Sequence, residues 1–110
     1  MNREDLVKLH GQLITEAHHL MVRKNKDYAG RSGEEPFANF TRVEAMGICS
    51  TTKGFLVRLT DKMSRLSSFA DAGTFAVADE SLRDTVLDII NYAILLYAYE
   101  TEERDRVTTD

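Results

Sequence analysis

Three observations predict an all-α fold, a small helical bundle. A single Pro and six Gly in 110 residues leave few breaks in the chain. No stretch alternates apolar and polar residues as a half-buried strand does, and no hairpin dipeptide stands out. Apolar residues instead recur at the helical period over three long stretches. The length suits one domain, large enough to bury a core but too short for two. Residues 1–104 are expected to form that domain, with 105–110 as a polar tail.

The first helix is expected from about Arg3 to Lys24. Leu6, Leu9, Leu13, Ala17, Leu20 and Met21 make its core stripe, and Glu4, Asp5, Gln12, His19 and Arg23 face out. Gly11 inside it costs about 1 kcal/mol relative to Ala and suggests close approach of a partner helix. His10, His18 and His19 do not form a metal set, since adjacent residues point about 100° apart. The segment KNKDY, residues Lys24 to Tyr28, then falls at the rim of the core. Lys24 either snorkels to solvent or meets a phosphate.

Turn chemistry fills AGRSGEE, residues Ala29 to Glu35, and Pro36 suits the first turn of a new helix. Phe37, Phe40, Val43 or Glu44, and Met46 give a short helical pattern that Gly47 would cap. Phe37 and Phe40 are core residues by default, with base stacking as the functional alternative. Ser50, Thr51 or Thr52 can serve as N-cap for a helix from about Gly54 to Ala70. Phe55, Leu56, Leu59, Met63, Leu66 and Ala70 form its apolar arc. Arg58, Lys62 and Arg65 stack beside that arc, with Asp61 on their outer flank.

Asp71 to Asp79 makes the connection to a last helix, Glu80 to Thr101, with Gly73 as its C-cap. Such a short connection favours antiparallel neighbours. Apolar residues of the last helix spread around most of its circumference, which marks an element buried on nearly every side. One stripe breaks that pattern: Glu80, Asp84, Asp88 and Asn91 follow one another at spacings of four, four and three. Like charges four apart destabilise a helix by roughly 0.2–0.5 kcal/mol per pair, so something cationic should face them. The basic strip of the preceding helix is one counterpart. A divalent metal such as Mg²⁺ is the other, since hard cations take carboxylate oxygens and keep positions for phosphate.

Composition narrows the partners. Hydrophobic residues at 43% and charged residues at 29% match an ordinary soluble protein, and a net charge of −4 argues against electrostatic coating of nucleic acid. No apolar run approaches the ~20 residues that span a bilayer, and the N-terminus lacks a signal-peptide core, so a cytoplasmic location is expected. Cys49, a lone cysteine, has no disulfide partner and no metal-ligand spacing. Acids one turn apart, opposed by Lys and Arg, suit a polyphosphate site in which the acids hold Mg²⁺ and the cations neutralise the leaving group. That chemistry is nucleotide pyrophosphohydrolysis. An inert ion network between the two helices is the competing reading.

The succession KNKDY, PFANF, GFLVRLTDKMSRL and ESLRDTVLDIINYAILL also resembles the phage and bacterial proteins called nucleotide modification associated domain one. These are similar to the MazG-like all-α nucleoside triphosphate pyrophosphohydrolases, which include dimeric dUTPases. The resemblance spans roughly Lys24 to Tyr97 and implies a dimer or tetramer of interlocked helices with a Mg²⁺-dependent nucleotide site. By position, Asp84 and Asp88 match the second acidic motif of that superfamily, followed by Asn91. The first acidic motif, two Glu three residues apart, is absent from DKMSRL, where Asp61, Lys62, Ser64 and Arg65 stand instead. Asp61, Asp27 or Glu16 would have to substitute, or the protein binds a nucleotide or a nucleotide second messenger without cleaving it, as a sequestering or accessory protein would.

The resulting expectation is a homo-oligomer that binds a nucleoside triphosphate. Asp84 and Asp88 hold Mg²⁺ with help from Glu80 or Asp61, and Asp61 joins the catalytic set. Lys24, Arg58, Lys62 and Arg65 contact phosphates, while Asp27, Tyr28, Asn39, Asn91 and Tyr92 line the substrate.

Overall fold

The computed structural model describes residues 1–28, 35–74 and 81–109, and the side chains of residues 1–25, 35–74 and 81–106. These residues form four helices: α1 (Arg3–Tyr28), α2 (Ala38–Ala45), α3 (Thr51–Ala72) and α4 (Leu82–Thr109). The all-α class follows from the observed elements, and no strand occurs among the described residues.

Local chemistry sets the helix ends. Asn2 accepts from the Asp5 backbone N–H at 2.8 Å, and Asp5 accepts in return from the Asn2 N–H at 3.4 Å, a reciprocal cap that starts α1. The helix runs four residues past its expected end at Lys24, the residue gripped by α4. Gly47 closes α2 at φ 76°, where its N–H reaches the Glu44 carbonyl and the Ile48 N–H reaches Val43, a Schellman pattern that needs a left-handed residue. Of the three N-cap choices for α3, Ser50 takes the role, its hydroxyl accepting from the Lys53 N–H at 3.2 Å. Glu44 adds a carboxylate to the same helix start by accepting from the Thr51 N–H. Gly73 ends α3 at φ 76°, as anticipated.

The helix α4 begins at Leu82, where the Ser81 hydroxyl accepts from the Asp84 N–H at 3.0 Å and caps it. It also continues to Thr109, so the expected polar tail is helical through that residue, with Arg106 bridging Glu102 and Glu103. Glu80 lies outside the described residues, as do Ala29 to Glu34, where turn chemistry was expected.

The core is small. Phe40, Phe55 and Leu95 are buried together, with Phe37, Tyr92, Leu96 and Tyr99 packed around them. Phe40 and Phe55 stack at 4.5 Å, and Phe37 meets Tyr99 edge-on at 5.6 Å. Gly54 lets α2 lie against α3, since a Cβ there would stand 3.0 Å from a methyl of Val43. A second seam joins α1 to α4 through Ala17 and Asn91, whose amide donates to the Ala17 carbonyl at 3.0 Å.

Several expectations about faces are corrected. Leu56 and Met63 of the α3 arc are 50% and 56% exposed, whereas Arg58, Lys62 and Arg65 turn partly inward. The reason is that α3 presents Thr51 and Phe55 to its neighbours, which carries the adjacent basic strip inward with them. On α4, Ile94 and Tyr97 are 56% and 74% exposed, so that helix is not buried on nearly every side within one chain. Leu6 of α1 is likewise 55% exposed. A Cβ at Gly11 would meet nothing within 4 Å among the described residues.

Candidate functional site

The helices α3 and α4 run antiparallel, with Phe55 beside Tyr99, Arg58 beside Tyr92 and Lys62 at Asp88. This register brings the basic strip of α3 to the acidic stripe of α4 at one point. Lys62 Nζ stands 3.0 Å from one oxygen of Asp88, and Lys24 Nζ, arriving from α1, stands 3.1 Å from the other. The Asp88 and Lys62 side chains are 17% and 15% exposed, and that of Lys24 is 38% exposed. Three helices therefore meet at one carboxylate. One turn along, the Arg58 guanidinium lies 4.6 Å above the Phe40 ring and 5.9 Å from that of Tyr92.

The other predicted residues disperse. Asp84 is exposed in the first turn of α4, where an acid suits the helix dipole. Its spacing of four from Asp88 thus has a helix-start explanation independent of any ligand. Asp61 is exposed and pairs with Arg65 of its own helix at 3.3 Å rather than facing α4. Glu16, weighed as a substitute ligand, accepts from Arg83 Nε at 2.9 Å, which holds its carboxyl below the usual range while the guanidinium is pushed up. Asn91 is buried and its amide is committed to Ala17. Asn39 is half-buried in the first turn of α2. Phe40, at 2% exposure, has no free face for a base. The side chains of Asp27 and Tyr28 lie outside the described residues, although α1 extends through both positions.

Mg²⁺ can be tested against these positions. Both Asp88 oxygens carry an ammonium, Asp61 is turned to Arg65, and Asp84 stands exposed. Among the described residues no three His, Cys, Asp or Glu gather as a metal would require. The described donors of one chain therefore do not fit a metal centre as they stand; an ion at Asp88 would first have to evict a lysine.

Two features escaped the sequence reading. Arg83 as the partner of Glu16 lies 67 residues away in the chain, and no local spacing signals such a pair. Phe40 as the floor under Arg58 follows only from how α2 seats on α3. Away from the lysines, Ile14, Ala17, His18, Met21, Ile90, Asn91 and Ile94 line an apolar cavity of about 140 Å³ between α1 and α4. No protein-family model, curated protein or solved structure matches the chain.

Proposed function

We propose that this protein binds a nucleotide through its phosphate groups, using the ammoniums of Lys24 and Lys62, without hydrolysing it. The observation that carries this reading is the convergence of those two lysines from α1 and α3 on a single part-buried point, with Arg58 one turn away. Paired cations from separate helices suit an oxyanion, and the exposed side of Lys24 gives it an approach. Arg58 has no acidic partner among the described residues and rests on aromatic rings, a setting in which a guanidinium keeps donors for a ligand.

Pyrophosphohydrolysis is the second reading, and the exposure of Asp84 one turn from Asp88 favours it. It needs further carboxylates, from a second copy or from residues outside those described. Homo-oligomerisation belongs to both readings. The accessible surface of 8089 Å² exceeds the roughly 6,200 Å² of a compact monomer of this size, and a stable interface takes about 800 Å² from each partner.

The test is a thermal-shift panel of nucleoside triphosphates and nucleotide second messengers, run with EDTA and with Mg²⁺, alongside a pyrophosphate-release assay. A ligand at a hundred times its Kd should add about 2.7 kcal/mol of stability. A shift that persists in EDTA without pyrophosphate release supports binding alone. Release that requires Mg²⁺ and is lost in Asp84→Asn makes the protein a hydrolase.

A further inference from the structure

Resting on the nucleotide-binding reading, we infer that the Asp88 carboxylate is a resident anion occupying the phosphate seat formed by Lys24 and Lys62, and that an incoming phosphate displaces it. Each Asp88 oxygen takes one ammonium, at 3.1 and 3.0 Å, from a different helix. Those two cations are thereby held together at the spacing of one oxyanion. Without an anion between them they would repel each other, with water screening the half-open Lys24 more than the sheltered Lys62, so an anion in the seat stabilises the free protein. A terminal phosphate brings more charge and one more oxygen than a carboxylate, and it can satisfy both ammoniums with an oxygen left for a third donor.

The charge balance leaves room for that exchange. The described residues bring Lys24, Lys62 and Arg58 to this region against Asp88 and the exposed Asp84, three cations to two acids. Lys24 is the half-open side of the seat at 38% exposure, and Lys62 is its sheltered floor at 15%. A metal-ligating Asp88 and an anion-mimicking Asp88 predict opposite signs for the same substitution. If the acid held a metal, its loss would weaken phosphate binding. As a competitor for the seat, its loss strengthens binding.

The experiment is calorimetric titration of inorganic pyrophosphate, and in parallel ATP, into the wild-type protein and Asp88→Asn, each in EDTA and again with Mg²⁺, the condition in which a metal-ligating acid would show its loss as weaker binding. Two part-buried ion pairs of this kind correspond to about a tenfold tightening for both probes once the carboxylate is removed. Asp88→Asn should also melt below wild type in anion-free buffer and recover on adding pyrophosphate. Should that variant fail to fold, Lys24→Gln takes its place. It removes one wall of the seat and should weaken pyrophosphate binding at least about threefold.

Equal or weaker pyrophosphate binding by folded Asp88→Asn overturns the inference, as does unchanged or tighter binding by Lys24→Gln. If wild type binds ATP while Asp88→Asn loses it, the displacement idea falls and nucleotide binding stands. If no variant binds either probe, both fall.

Discussion

Glu16 and Arg83 join α1 to α4 near the first turn of α4, and this pair gives the molecule a testable pH response. Arg83 depresses the Glu16 carboxyl below its ordinary value of 4.5, so the folded state releases that proton more readily than the unfolded chain. The stabilisation is complete above about pH 4.5 and is lost as pH falls through the lower folded value. Glu16→Gln should therefore melt slightly below wild type at pH 7, and the gap should close in melts taken progressively below pH 4.5. A gap that stays constant into strong acid would mean the carboxylate's charge contributes nothing. Asp88 belongs to the same scale but to a different balance. It is more sheltered than Glu16, and its two ammoniums come from two other helices, so substitution there disturbs three elements at once.

Glycines separate the elements by what surrounds them. At Gly54 a side chain would collide with Val43, whose branched Cβ has few alternative rotamers in a helix. Gly54→Leu should destabilise by about 1–3 kcal/mol in urea titration by prising α2 from α3, and with it the Phe40 floor beneath Arg58. At Gly11, mid-helix and open, the balance reverses. Gly11→Ala should stabilise by about 1 kcal/mol because the helix gains propensity with no clash. If it destabilises instead, the face of α1 around Gly11 is covered by a second copy in solution. The arc of α3 followed a related logic. Its apolar period was legible, but the inward side was decided by Phe55 seating against Phe40, which turned Leu56 and Met63 out.

For the whole molecule, the radius of gyration is 16.3 Å, against about 13 Å for a compact chain of this length. Extents of 49 × 31 × 26 Å describe an elongated body with little inside it, and Leu56, Val57, Met63, Ile94 and Tyr97 lie on its surface. Exposed apolar residues of this kind on α3 and α4 are what a second copy would cover. Met63→Glu and Leu56→Glu should leave the helical content unchanged and shift the protein to smaller species in sedimentation velocity. Wild type already sedimenting as a monomer at micromolar concentration would remove the homo-oligomer from the proposal.

The sequence by itself determined the helices, because period, caps and breakers act over a few residues. Gly47 and Gly73 mark ends that left-handed backbone enforces, while the start of α3 was narrowed to Ser50, Thr51 or Thr52. It also determined that an acidic stripe and a basic strip would occupy neighbouring antiparallel helices. The partner of each charge was beyond its reach, since pairing depends on helix rotation and on residues far apart in the chain. Only the tertiary arrangement decided that Lys24 crosses 64 positions to share Asp88 with Lys62 and that Asp84 stays in the open. The physical reason is that a helix fixes the spacing of its side chains alone, whereas its neighbours fix which of them leave water.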